Sequence, residues 1–190
     1  MEDLDESLSK AMFEVNVWGL VRMSKAVLPH MRGARSGRII HVGSVVGKFV
    51  FPLNGAYSAS KHAVEALSDA MRIELKSFGI PVVLIEPGTI RTRFMATSEA
   101  LGAPIQSNPD SAYSALYQEF QRLASSSTQA WAEPERVSRV IQKAIEARHP
   151  APRYLAAVSP LYRIMLSAGD GLRDYILQKA FRIATTGRWA

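Results

Sequence analysis

Three features predict an α/β fold on a parallel sheet for this 190-residue chain. A short apolar run at residues 38–42, Arg38-Ile39-Ile40-His41-Val42, suits a strand covered on both faces. A second run, Pro81-Val82-Val83-Leu84-Ile85, is closed by Pro87-Gly88. Between them, residues 61–78 repeat apolar side chains at helical spacing through Val64, Leu67, Ala70, Met71, Ile73 and Leu75, and Gly79 is a natural stop. Strand, helix and strand in that order form a βαβ crossover, which makes the strands parallel and the winding right-handed.

The other elements follow from the same rules. Residues 7–31 predict a long helix, with Leu8, Met12, Val15, Gly19, Met23 and Ala26 at spacings of three and four. Two glycines make residues 32–37 a loop. Beyond Arg91 the pattern loosens, and aromatic residues (Phe94, Tyr113, Tyr117, Phe120) mix with small polar ones up to Ser127. Glu133-Pro134-Glu135 opens a helix, with proline in its favoured first turn and acids at the positive end. Val137, Val140, Ile141, Ala144 and Ile145 form its apolar stripe. Residues 153–158 predict a third short strand, and residues 172–181 a last amphipathic helix. The chain reads as one domain: residues 1–92 carry the chemistry, residues 93–131 a lid, and residues 132–190 a helix–strand–helix with a basic tail.

Composition excludes several classes of function. With 47% hydrophobic and 21% charged residues the chain is globular. Zero cysteines exclude disulfide scaffolds, zinc fingers, iron–sulfur clusters and thiol nucleophiles. The acidic opening Met1-Glu2-Asp3-Leu4-Asp5-Glu6 is unlike a signal peptide, and no apolar run approaches the ~18 residues of a spanning helix. A cytoplasmic location is therefore expected. Most of the net charge of +6 lies from Arg148 onward, where seven Lys/Arg face two Asp. A solvated helix face explains that excess, and contact with an anionic membrane surface through residues 172–189 is the alternative; nucleic acid is not expected. His30, His41, His62 and His149 fit no metal-ligand spacing, so no metal is expected.

Four features line up along the chain. Asn16 lies in the first helix, within Val15-Asn16-Val17-Trp18-Gly19. Ser44 follows the first strand in Gly43-Ser44, and Tyr57-Ser58-Ala59-Ser60-Lys61 places tyrosine and lysine four residues apart. Pro87-Gly88 closes the second strand, with Thr92 four residues later. A lone Tyr-x-x-x-Lys carries little information, and Tyr175 with Lys179 forms a second such pair without a serine-bearing strand end before it. The first pair stands between a strand-end serine and Pro-Gly, inside a strand–helix–strand unit.

In that order and context the chain resembles the classical branch of the short-chain dehydrogenase/reductase family, from about Asn16 to Thr92. Gly37-Arg38-Ile39-Ile40-His41-Val42-Gly43-Ser44 and Tyr57-Ser58-Ala59-Ser60-Lys61-His62-Ala63 are similar to family wording. Glu133-Pro134-Glu135-Arg136-Val137 and Arg153-Tyr154 resemble the end of steroid-, retinol- or lipid-handling members. The resemblance implies a Rossmann-like, doubly wound sheet, represented here by its C-terminal catalytic half. It also implies NAD or NADP as cofactor and hydride transfer between an alcohol and a carbonyl of a small hydrophobic substrate. Catalytic residues would be Asn16, Ser44, Tyr57 and Lys61. Tyr57, Lys61, Pro87, Gly88, Ile90 and Thr92 would meet the cofactor, with Thr92 at the nicotinamide carboxamide and Lys61 at its ribose.

The residue types suit that chemistry. Four residues along a helix return to the same face, so Lys61 can lie close to Tyr57. Bringing a free tyrosine from ~10 to neutrality takes roughly three units, or ~4 kcal/mol. An ammonium ~4 Å away at an effective dielectric of 20 supplies about that much, so a lysine and the positively charged nicotinamide ring together would suffice. Tyr57 would then be the general acid and base and Ser44 a hydrogen-bond partner of the same substrate oxygen; the family resemblance implies that Asn16 holds a water in the proton relay. A glycine at 88 would let the backbone approach the flat ring.

No glycine precedes Asn16, so the glycine-rich turn that takes a pyrophosphate at a helix N-terminus is absent. Cofactor binding by this chain alone is therefore not expected, and the first strand should keep one unpaired edge. Two readings follow: an NAD(P)-dependent oxidoreductase of which this is one part, or a non-catalytic remnant. The remnant would pair with another copy or a full-length relative through the helices at residues 7–31 and 61–78.

Overall fold

A computed structural model describes residues 2–127 and 131–183. Its centre is a three-stranded parallel sheet in the order β1 (Ile39–Val42), β2 (Val82–Pro87), β3 (Arg153–Ala156). Ile39 pairs with Val82 and Val42 with Ile85, while Leu84 pairs with Arg153 and Pro87 with Ala156. β2 is the central strand and is buried along its whole length, as its unbroken apolar run requires. β1 lies at the edge expected to stay open, and Val42 at its end is exposed.

Alternation along the strands divides the core. On one face Ile39 and Val82 pack with Leu75, Ile80, Leu28, Met31 and Met71. These come mainly from helices α2 (Leu20–Ala34) and α3 (Gly55–Glu74) and the turn that follows α3. On the other face Val83, Ile85 and Ile40 pack with Val137, Val140, Ile141 and Ala144 of α6 (Glu135–Glu146). Helices thus cover both faces, which is the doubly wound arrangement. The chain crosses the sheet in the same direction twice with its helices on opposite faces, so the two crossovers have opposite hands. The β1–α3–β2 unit is tight, and the second makes a long excursion through α4 (Arg93–Gln106) and α5 (Ser114–Ser127).

The long first helix is present, but not as one regular helix. α1 (Glu6–Phe13) runs through a π-helical turn at Glu14–Gly19 into α2. Asp5 caps its start, accepting from the Leu8 backbone N–H at 2.9 Å. A wider turn shifts the phase of every later residue, so the stripe read at regular spacing is not the face that packs. Val15 and Met23 are exposed, while Val17 and Ser24 are buried. Three other expectations are corrected. α3 begins six residues before Lys61, which places Tyr57 inside the helix. The loosened stretch after Arg91 holds α4 and α5, and α7 (Pro160–Ser167), capped by Ser159, precedes α8 (Asp170–Ala180). β3 ends at Ala156 because Ala157 turns to a positive φ of 54°. The last residues of the basic tail, 184–190, lie outside the described residues.

A third cluster sits beyond the carboxyl ends of the strands. Val45, Val46, Phe49, Met165, Leu177 and Phe181 pack together, with Tyr57, Phe120 and Tyr162 against them. The C-terminal helices therefore brace the segment that follows Ser44.

Candidate active site

The carboxyl ends of β1 and β2 bring Ser44, Tyr57, Lys61 and Pro87 to one place, the position at which open α/β sheets take ligands. Ser44 leaves β1 in an extended conformation and caps the short 3₁₀ turn Val45–Gly47. Its Oγ accepts from the Val46 N–H at 3.4 Å and donates to the Pro87 carbonyl at 3.5 Å, so it links the ends of β1 and β2. Gly47 lets this turn reach α3, because a Cβ there would meet the Lys61 carbonyl and the Glu65 side chain at 3.0 Å.

Tyr57 lies in the first turn of α3, its ring 5.2 Å from that of Phe94. The nearby Ser44 hydroxyl favours the phenolate, yet burial outweighs that and pushes the phenol's pKa above its ordinary value. The Lys61 ammonium stands 5.7 Å over the tyrosine ring and donates to the Val42 carbonyl at 3.2 Å. Burial lowers its own pKa. The ammonium thus meets the ring and the strand end, and burial dominates the acidity of the Tyr57 phenol in the chain by itself. The second pair is a useful control. Lys179 sits 5.6 Å over Tyr175 as well, but Tyr175 is 58% exposed on α8. Ring-over-ammonium contact follows from the four-residue spacing alone; burial and Ser44 distinguish the first pair.

Asn16 falls within the π-helical turn, a distortion frequent at functional sites. Its amide donates to Ser60 Oγ at 3.1 Å, and Ser60 donates to the Tyr57 carbonyl at 2.7 Å. Asn16 therefore reaches the Tyr57 turn through Ser60, a fully buried residue that the sequence reading passed over.

Gly88 also answers a packing need within the fold. A Cβ at that position would stand 2.6 Å from the Ala157 carbonyl oxygen, so the missing side chain serves the close approach of β3's end. Gly88→Ala is expected to lower stability by roughly 1–3 kcal/mol, as overpacking does. The urea midpoint reads this. Ile90 forms an isolated bridge with Ala132, and the Thr92 hydroxyl caps α4 by accepting from the Phe94 N–H at 3.3 Å. Thr89 Oγ1 lies 3.1 Å from the Tyr162 hydroxyl, which joins this loop to α7.

The donor set fits a nicotinamide cofactor. Lys61 carries three N–H donors and gives one to Val42, leaving two without a protein acceptor among the described residues, as ribose hydroxyls need. Thr92 stands exposed at the helix start beyond β2. Among the described residues no three His, Asp or Glu side chains gather as metal ligands, and no helix is long and apolar enough to cross a membrane.

Known proteins resemble this chain in sequence and fold. Human 17-beta-hydroxysteroid dehydrogenase type 1 is 35% identical over 176 residues, covering 90% of this chain and 53% of that protein. The 3-ketodihydrosphingosine reductase of Bacteroides thetaiotaomicron is 35% identical over 183 residues, 94% of this chain and 65% of that protein. A short-chain dehydrogenase from Streptomyces avermitilis superposes with a TM-score of 0.70 at 26% identity, over 96% of this chain and 62% of the other. 4-Hydroxyisoleucine dehydrogenase, solved with NADH, superposes with a TM-score of 0.57 at 26% identity, over 80% and 59%. The chain thus spans about half to two thirds of the length of these relatives. Residues 1–101 match the short chain dehydrogenase family itself, and the chain belongs to that family of oxidoreductases.

Proposed function

We propose that this chain is the catalytic portion of an NAD(P)-dependent oxidoreductase that interconverts an alcohol and a carbonyl on a hydrophobic, steroid-, retinoid- or lipid-like substrate. One observation carries the reading: a half-buried tyrosine whose acidity a strand-end serine influences, with a lysine one helical turn away, at the carboxyl ends of a parallel sheet. The bound nicotinamide supplies or accepts the hydride. Tyr57 Oη gives a proton to the substrate oxygen on reduction and takes it on oxidation. Ser44 Oγ holds the same oxygen and stabilises charge developing on it. Lys61 would hold the cofactor ribose with its two remaining donors, Thr92 and the backbone at Ile90 would meet the carboxamide, and Asn16 keeps the Tyr57 turn in place through Ser60.

The half-buried and exposed apolar side chains of α4 and α5, Phe94 and Leu101 among them, favour a greasy substrate under a helical lid. The steroid and sphingoid chemistry in the names of two relatives supports that class. The test is turnover by the native protein from its source cells, with NADH or NADPH and a panel of hydroxysteroids, retinol and long-chain ketones. Tyr57-dependent turnover is expected, and no turnover with either cofactor overturns the reading.

The open β1 edge and the exposed Val15, Trp18 and Ile73 favour a second reading, a partner-binding module that docks on another copy or on a longer relative. A native mass of 20.9 kDa, with co-purification of such a partner and no turnover alone, selects it.

A further inference from the structure

The segments that carry the candidate site are tied together beneath it by charged side chains that the proposed chemistry does not use. Glu86 immediately precedes Pro87 on β2 and is 4% exposed; Glu65 lies one turn beyond Lys61 on α3 and is 6% exposed. Lys48 follows the turn capped by Ser44, and Arg153 opens β3. Lys48 Nζ stands 2.5 Å from Glu65 Oε2 and 3.9 Å from Glu86 Oε1. Arg153 reaches Glu65 Oε2 at 3.2 Å, Glu86 Oε1 at 3.4 Å and Asp69 Oδ2 at 2.6 Å. Asp69 is also held by Arg72, one turn further along α3.

Despite two cations, one oxygen of each glutamate, Glu65 Oε1 and Glu86 Oε1, is buried without a hydrogen-bond donor. The cations touch Glu86 only at ion-pair distance. The two carboxyl groups flank the same two cations, with Lys48 Nζ and Arg153 Nε each lying against both, and carboxylate oxygens can only accept. A buried acceptor left without a donor is costly, and two like charges in contact are costlier still. A single proton between the groups removes both penalties.

We propose that Glu65 and Glu86 share one proton, and that this pair, clamped by Lys48 and Arg153, is a positioning device holding the Ser44 turn, the Tyr57–Lys61 helix and the Pro87–Gly88 strand end in register. The proton itself is independent of the proposed function, which enters only in why that register matters. Burial and the adjacent Glu65 push Glu86 up to about 7, against the pull of Lys48 and Arg153. Above that pH two negative charges face each other across the junction of β2 and α3, and the register loosens next to Tyr57.

The test follows the Tyr57 ring signal by NMR in the full chain with carbon-13-labelled tyrosine, assigned by its loss in Tyr57→Phe. In the wild type that signal is expected to shift with an inflection near pH 7. Glu86→Gln, whose amide donates to Glu65 in place of the shared proton, removes the inflection and keeps the low-pH signal. Glu65→Gln moves the inflection to lower pH. In parallel, the folding equilibrium constant of Glu86→Gln relative to wild type is expected to rise more than tenfold between pH 5 and pH 8. A constant ratio overturns the shared proton, as does a Glu86→Gln chain that fails to fold. A rising ratio with a Tyr57 signal that never inflects overturns the positioning role. None of these measurements uses turnover, so their failure is separate from failure of the oxidoreductase reading.

Discussion

Replacing Tyr57 by Phe is expected to cut turnover by the native protein roughly 10²–10⁴-fold, the usual range for losing a positioned general acid or base. The ring stays, and with it the contact with Phe94 and the packing beneath Val45 and Val46, so folding and cofactor affinity are expected to hold. Tyr175→Phe on α8 is the matched control and leaves turnover unchanged, although its lysine stands just as close to the ring. The pH dependence follows from the geometry. Oxidation of an alcohol needs Tyr57 as phenolate, and burial favours the neutral phenol. Oxidation is therefore expected to speed up as pH rises through the alkaline range, while reduction, which needs the proton, slows. Ser44→Ala removes the hydroxyl that favours the phenolate, so its oxidation profile moves to still higher pH. Equal rates for wild type and Tyr57→Phe would remove Tyr57 from the chemistry.

The legible parts of this molecule were those with a strong period or a punctuating residue. Ile39–Val42 and Val82–Pro87 read as buried parallel strands because nearly every side chain in them is apolar, and they pair as expected. Ser44, Tyr57, Lys61 and Pro87 read as one site because their order along the chain is distinctive, and the fold brings them together. What was not legible needed distances that sequence spacing does not carry. The π-helical turn at Glu14–Gly19 rotates the helix against its own periodicity, and regular spacing cannot show that rotation. Pro104 inside α4 and the small polar residues of α4 and α5 hid two helices that their tertiary contacts sustain. Spacing put Lys61 on the face of Tyr57, but not its contact with the Val42 carbonyl or the burial that dominates the phenol's acidity. The charged layer below the site did leave a signal: Glu86 is the one charged residue in an otherwise apolar strand, and a buried charge needs partners.

His41 on β1 and Glu86 on β2 carry opposite pH dependences that are expected to cancel in the wild type. His41 is 6% exposed between α2 and α3. Ser68 donates to the Val64 carbonyl at 2.6 Å, so it accepts from His41 Nδ1 at 2.8 Å, and Nε2 accepts from Ser24 at 3.1 Å. Both ring nitrogens are satisfied in the neutral form, and burial lowers the pKa from 6.5 to about 4. The unfolded chain therefore binds a proton that the native chain refuses, and His41 costs stability as pH falls from 6.5 to about 4. Glu86 is raised from 4.5 to about 7, so the native chain keeps a proton that the unfolded chain releases, and stability is lost as pH rises through that window. Between pH 4.5 and 6.5 the two slopes, each about 1.4 kcal/mol per pH unit, oppose one another. Wild-type urea midpoints should be nearly level there, which neither group alone would produce. His41→Gln removes one slope, and its stability is expected to fall by about 3 kcal/mol from pH 4.5 to 6.5, on top of a pH-independent loss of about 1–3 kcal/mol for the broken serine network. Glu86→Gln uncovers the other, with stability rising by a similar amount over the same range. A His41→Gln chain as level as the wild type would mean that His41 is protonated in the folded state, and that Ser24 and Ser68 both accept from it.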